Sequence, residues 1–251
     1  MSPPEPPNPP GKGRALTVSI VIPVWNDAAR LARSLEVLSA LEPPPEVLVA
    51  DASDDRDGVR DLAESFGARF IAVGQPNRGG QLNAGAREAS GDVLLFHHAD
   101  TQLTQAHYRS VIDALEGDPE LVGGAFYKDI RAHHPRLGWS EPLVRWYSHH
   151  LGILYGDQSV FVRRARFGEL GGFREIPLME DVEFSKRLRR AGKVGLIDPP
   201  LRTSMRKFVA DGALRRKLQN MWLVFLFRLG VSPERLHRRY YRWKNTGRGA
   251  E

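Results

Sequence analysis

The 251-residue sequence contains no cysteine. This excludes a disulfide framework, a thiolate nucleophile and any cysteine-ligated zinc or iron–sulfur site, so a bound metal must take oxygen or imidazole ligands. Long apolar runs are missing too. The longest near the C-terminus, Met221 to Phe227, stops at Arg228, far short of the roughly 20 residues that a membrane span needs. The opening MSPPEPPNPP lacks the apolar centre of a secretory signal, which points to a cytoplasmic protein, soluble or peripheral to the inner face of a membrane.

What remains is an ordinary globular composition, 41% apolar and 26% charged, long enough for one large α/β domain or two small ones. The net charge of +6 is unevenly spread. Arg202 to Glu251 holds 13 basic and 3 acidic residues, net +10, which leaves −4 for the first 201. Such asymmetry points to an anionic partner for the C-terminal end. Residues 1–14 read as a disordered proline-rich lead, 15–205 as the folded domain and 206–251 as a basic and apolar helical extension.

From Thr17 the chain alternates short β-branched runs with longer helical patterns. Val18 to Ile22 predicts a buried strand ended by Pro23, and Asp27 then caps a helix with apolar positions Leu31, Leu35, Leu38 and Leu41. Strands are expected at Glu46–Ala50, Arg69–Val73 and Asp92–Phe96, with a helix over Gly80–Ala89 before the last of these. The second half is less regular: Leu121–Ile130 extended, Leu137–Leu154 helical with aromatics, Ser159–Val162 a strand and Glu180–Ala191 a helix. Alternation of this kind predicts a mostly parallel sheet flanked by helices. Ligands of such sheets sit outside the carboxyl ends of the strands, so the residues just after each strand are the ones to inspect.

Those exits hold the chemistry-bearing side chains. Asp51 directly follows a buried strand, where a carboxylate can accept hydrogen bonds from a base or a ribose. Arg78-Gly79-Gly80-Gln81-Leu82-Asn83 opens a helix with exposed amides and a guanidinium, a combination suited to phosphate. It lacks both the Gly-Lys-Ser/Thr ending of a phosphate loop and the dinucleotide fingerprint. His98 and Asp100 stand two residues apart and can share one divalent cation, or Asp100 can cap the next helix. Glu180, Asp181 and Glu183 open a helix; acids there complement the helix dipole, and one of them held near a substrate hydroxyl can remove its proton.

Taken in order, Val21-Ile22-Pro23-Val24-Trp25-Asn26, Val49 to Ser53, Arg78 to Gly85, His98-Ala99-Asp100 and Glu180-Asp181 resemble family 2 glycosyltransferases, which have the GT-A fold. The resemblance spans about Thr17 to Arg202 and is nearest to a small non-processive bacterial branch that shares Gly156-Asp157-Gln158 and the stretch Leu229 to Pro233. It implies an inverting, metal-dependent transferase that moves a single sugar from a nucleotide-diphosphate donor to a small or lipid-linked acceptor. By similarity, Pro23, Asn26, Asp51, Arg78, Gln81 and Asn83 line the nucleotide, and Asp100 with His98 holds Mn²⁺ or Mg²⁺ on the diphosphate. Asp181 is the base, and Asp157, Gln158, Glu180 and Arg206 lie toward acceptor or phosphate.

The chain departs from the family at two places. His98 replaces the first acid of the Asp-X-Asp motif, and the Gln-X-X-Arg-Trp motif of processive synthases is missing, with the Arg206-Lys207 segment expected to do part of the phosphate work in its place. A competing reading keeps the nucleotide fold without turnover, its basic tail docking RNA or a membrane. A nucleotidyltransferase is a third, less favoured because no glycine-rich activation loop follows the first strand. The retained Asp181 and metal motif favour the enzyme, and nucleic acid is not the expected partner.

Overall fold

The computed structural model describes residues 15–128, 153–203 and 213–246. The proline-rich lead, Arg206 and nearly all of the expected helix Leu137–Leu154 lie outside the described residues; Ile153 and Leu154 themselves are not helical.

The first half follows the sequence pattern closely. Strand β1 (Val18–Val24), helix α1 (Ala28–Leu38), β2 (Glu46–Asp51), α2 (Arg56–Ser65), β3 (Arg69–Ala72), α3 (Arg78–Glu88) and β4 (Val93–Phe96) alternate in chain order. Then come β5 (Thr101–Gln102), α4 (Gln105–Gly117), β6 (Leu121–Lys128), β7 (Val160–Arg163), α5 (Arg164–Glu169), α6 (Glu180–Ala191) and β8 (Lys193–Thr203). Two helices, α7 (Ala213–Arg228) and α8 (Pro233–Thr246), end the described chain.

The eight strands form one sheet in the order β3-β2-β1-β4-β7-β6-β8-β5. Parallel pairing joins β3, β2, β1 and β4, and also β6 with β8, whereas β7 and β5 run antiparallel to their neighbours. Since β7 is reversed between β4 and β6, β6 points the same way as β1 to β4. The carboxyl ends of β1, β2, β4 and β6 therefore open on one edge, where an open α/β sheet binds its ligand.

Each face of the sheet has its own apolar layer. One joins Ile20, Ile22, Leu31, Leu35, Val111 and Leu115, from β1, α1 and α4. The other joins Val21, Leu82, Phe96, Phe167, Phe173 and Phe184, with neighbouring ring centroids 4.5–5.5 Å apart. Helix α3 reaches β1 through Gly85, where a Cβ would stand 2.3 Å from Val21 Cγ1; even alanine would wedge helix from strand.

Three local expectations need correction. Pro23 does not end β1, which runs on to Val24 and pairs there with Asp51 of β2. Odd-numbered β1 residues turn their polar backbone atoms toward β4, whose pairing stops at Val21, so the N–H that proline lacks has no ladder partner to lose. Asp27 occupies the N-cap position of α1 but makes no capping bond, pairing instead with Arg30. Helix α4 is capped by Thr104, which frees Asp100 of the capping alternative.

Candidate active site

At the edge formed by the strand ends, the exits of β1 and β2 are tied together. Asn26 has a left-handed backbone (φ 51°), a conformation that Asn tolerates better than most residues. Its N–H donates to Ser53 Oγ at 2.7 Å, and its side-chain amide donates to Asp54 Oδ2 and accepts from Asp54 N–H. Ser53 Oγ donates in turn to Asp51 Oδ1 at 2.6 Å. Asp51 is fully buried, and its Oδ2 has no hydrogen-bond partner among the described residues. A buried acceptor left open at a strand end calls for a donor from outside the chain, a water or a ligand.

Helix α3 reinforces this edge. Gln81 is buried and donates to Val24 O and Ala50 O, at 2.7 and 2.9 Å, which clamps the ends of β1 and β2. Asn83 donates to Phe173 O and accepts from Phe173 N–H, both at 2.8 Å. Both amides therefore serve the protein's own backbone and position the site. Arg78, at the first turn, is the residue of this stretch that reaches the other charged groups.

Pro23, Val24, Trp25, Asp27, His98, Ala99 and Asp100 line a crevice beside these strand ends. Asp100 is exposed and His98 half-buried. On the far side of His98 lies the turn Gly156–Gln158. A methyl group on Gly156 would fall 3.0 Å from His98 Nε2, 3.5 Å from Asp181 Oδ2 and 3.6 Å from Arg78 Nη1. The imidazole, the carboxylate and the guanidinium thus surround one point of backbone.

Hydrogen bonds hold that cluster. Gly156 N–H donates to Asp181 Oδ2 at 2.8 Å, and Val182 N–H to Asp181 Oδ1 at 2.7 Å. Arg78 Nε donates to buried Glu180, and Arg78 Nη2 stands 3.9 Å from Asp181 Oδ2. Lys128, at the carboxyl end of β6, reaches Asp157 Oδ2 at 2.7 Å and lies 5.2 Å from the centre of the Tyr155 ring. Gln158 accepts from Tyr155 N–H and donates to Phe126 O, both at 2.9 Å, closing the turn on β6. Met179, just before Glu180, also has a left-handed backbone (φ 72°); such strain in a bulky residue gathers at functional sites.

The electrostatics follow from burial and the Arg78 charge. Burial, then the nearby guanidinium, pushes the His98 imidazole down to about 3, so it is neutral near pH 7 with a lone pair to offer. Burial raises Glu180, against the opposing pull of Arg78. Asp157 is lowered: burial works against its charge, but Lys128, His98 and Arg78 outweigh it. Arg78 is held in its charged form by Glu180 and Asp181 despite its own desolvation.

Among the described residues no three or more His, Asp or Glu side chains converge as a metal cage. On the shared crevice they offer a divalent ion the exposed carboxylate of Asp100 and the neutral imidazole of His98, while the Asp27 carboxylate that also lines it is paired with Arg30. That donor set fits an ion completing its shell with ligand phosphate oxygens and water. The structure brings Pro23, His98 and Asp100 to the crevice, and Arg78, Asp157, Glu180 and Asp181 to the adjoining cluster; Arg206 lies outside the described residues. Sequence reasoning missed Lys128, Ser53 and the N–H of Gly156. Lys128 was within reach of the strand-exit rule once β6 was known to run parallel with β4; the backbone donor left no signal in residue type.

A parallel half-sheet whose strand ends frame an unsatisfied buried carboxylate, with an arginine at an adjacent helix start, places the chain among the open α/β proteins that bind ligands at their strand ends. Residues 19–167, more than half of the chain, match the family described as glycosyl transferase family 2, and the chain belongs to it. It is 36% identical over 123 residues to the uncharacterized glycosyltransferase YfnE of Bacillus subtilis, which covers 46% of this chain and 31% of that one. The probable glycosyltransferase YdaM of the same organism is 25% identical over 198 residues, 70% of this chain and 47% of that one. The chain thus spans less than half the length of these relatives.

The mannosyltransferase PcManGT from Pyrobaculum calidifontis, solved with GDP-mannose and Mn²⁺, superposes with a TM-score of 0.69 at 20% identity over 91% of this chain and 70% of that one. The fold is of the GT-A type, as the sequence resemblance implied.

Proposed function

We propose that the protein is an inverting glycosyltransferase that uses Mn²⁺ or Mg²⁺ and moves one sugar from a nucleotide-diphosphate donor to a small or lipid-linked acceptor. The observation that carries this reading is the sharing of His98: it lines the crevice with Asp100, and its Nε2 adjoins the Gly156 backbone that holds Asp181. Crevice and carboxylate cluster are two sides of one site.

In this reading Asp51 and the Pro23–Asn26 exit receive the nucleoside, with Oδ2 of Asp51 as the open acceptor. Arg78 lies toward the diphosphate, and Gln81 and Asn83 keep the strand ends and the Phe173 turn in place. Asp100 and His98 would hold the divalent ion, which when bound neutralises charge developing on the leaving diphosphate. Asp181 takes the proton of the acceptor hydroxyl as the acceptor oxygen forms its bond to the anomeric carbon. The bond from that carbon to the diphosphate oxygen breaks on the opposite side, which inverts the configuration and releases the nucleoside diphosphate. Asp157, Gln158 and Glu180 shape the acceptor side.

A thermal-shift panel of nucleoside diphosphates and sugar nucleotides with Mn²⁺, followed by donor hydrolysis, tests the proposal, because binding stabilises the folded state by mass action. A Mn²⁺-dependent shift with turnover supports it. Nucleotide binding without hydrolysis or transfer across the panel would favour the inactive binding module.

A further inference from the structure

Helix α7 has two apolar sides. Leu223 and Val224 are buried against Ile153, Met179 and Val182 and against Leu236 of α8. Met179 and Val182 flank Glu180 and Asp181, so α7 is packed on the very turn that presents the proposed base. The opposite side is bare: Met221, Trp222, Phe225 and Leu229 are each between 45 and 66% exposed. At about 100° per residue these four fall within an arc of about 100° on one helix face. Trp222 and Phe225 stack on that face with ring centroids 5.4 Å apart.

Large apolar side chains grouped on one exposed face mark an interaction surface. The charge of this region selects the occupant. Arg228, which at about 100° per residue borders that face of α7, is exposed, as are Arg235 and Arg238 of the following helix; in sequence, Arg202 to Glu251 holds 13 basic residues and 3 acidic ones. A second copy of the chain would bring a like charge against that segment. An anionic bilayer complements it, and offers both a headgroup layer for the arginines and an acyl boundary for the aromatic face. No helix among the described residues is long and apolar enough to cross a membrane, so the contact lies in the plane of the surface.

We propose that the Met221–Trp222–Phe225–Leu229 face of α7 seats the protein on an anionic lipid bilayer. The seating and the Asp181 turn then belong to one packed unit. The proposal stands on the surface itself and does not depend on the transferase reading.

The test is co-sedimentation of the full chain with phosphatidylcholine vesicles, with and without phosphatidylglycerol, at low and high salt. Sedimentation velocity without lipid is run alongside. Expected is binding to the phosphatidylglycerol vesicles that weakens with salt, and that falls about tenfold in a Trp222→Ser/Phe225→Ser variant. A Met221→Ser/Leu229→Ser variant provides the same readout should the first fail to fold, and thermal shift with nucleotide and Mn²⁺ reports on the site separately. Undiminished binding in both variants, or none by the wild type, overturns the proposal. So does a wild-type dimer that either variant converts to monomer, since the face is then covered by a second copy.

Discussion

The backbone N–H of Gly156 meets Oδ2 of Asp181 at 2.8 Å, across 25 residues of chain. With Val182 N–H on Oδ1, both oxygens of the carboxylate are fixed by main-chain donors, and its direction is set by the fold rather than by a rotamer choice. Arg78 adds a charge at 3.9 Å while bonding Glu180 next door.

Replacing Asp181 by Asn keeps one of these two main-chain bonds, the amide oxygen still accepting from Gly156 while the NH2 group stands against the Val182 N–H, and removes the group that takes a proton. Transfer is expected to fall by at least about 100-fold, with nucleotide affinity changed no more than about threefold. Calorimetric binding beside a donor-hydrolysis assay checks both halves. Comparable turnover in the variant would remove Asp181 from the base role.

Gly156→Ala examines the crowding at the same point. The new methyl would stand 3.0 Å from His98 Nε2, closer than carbon and nitrogen rest comfortably, so the imidazole must yield by a few tenths of an ångström. The expected outcome is a melting temperature within about 3 °C of wild type but turnover reduced about tenfold or more. Turnover equal to wild type would show that the His98 position is not critical.

Asp100→Ala and His98→Ala separate the ion from the nucleotide. Each is expected to abolish most of the gain in nucleotide affinity that Mn²⁺ provides, about tenfold or more, while leaving affinity in its absence nearly unchanged. Titrations of a nucleoside diphosphate with and without Mn²⁺ give both numbers. A Mn²⁺ effect of wild-type size in both variants would exclude these residues as ligands.

The first half of the fold was legible because β1 to β4 and their helices keep a strict alternation of β-branched runs and amphipathic helices, with little tertiary correction. The strand-exit rule led to Asp51, Arg78, His98 and Asp100 for the same reason. What the sequence hid depends on chain brought together from afar. The reversal of β7, which aims Lys128 at the site, follows from a pairing with β4 more than 60 residues away, and no local period encodes it. Gln81 and Asn83 carry residue types suited to a nucleotide, yet the geometry shows their amides already engaged by backbone. Composition alone could not tell a ligand contact from a clamp.

A final prediction concerns His107, which takes the place of the usual Glu or Gln in the capping box of α4. Its Nδ1 accepts from Thr104 N–H at 3.1 Å, so the proton of the neutral ring sits on Nε2, directed at Pro200 O 3.3 Å away. The ring also meets Phe126 edge-on at 5.2 Å. Protonation would set a second N–H against that of Thr104, and burial already pushes the imidazole below 6.5, with the Pro200 carbonyl opposing only in part. The other imidazole coupled to it is His97, itself lowered to about 4.

Because the folded pKa of His107 is depressed, the unfolded chain binds more protons as the solution is acidified. The contribution to stability is therefore complete above pH 6.5 and is lost as pH falls from there through the folded value. His107→Gln keeps the capping box and removes the titration. The drop in melting temperature between about pH 7.5 and about pH 5.5 should be smaller in the variant than in wild type, though not abolished, since His97 adds its own share. Thermal unfolding of both proteins across that range decides it: parallel curves would mean that His107 binds protons equally in the folded and unfolded chain and that the Thr104 bond does not hold it neutral.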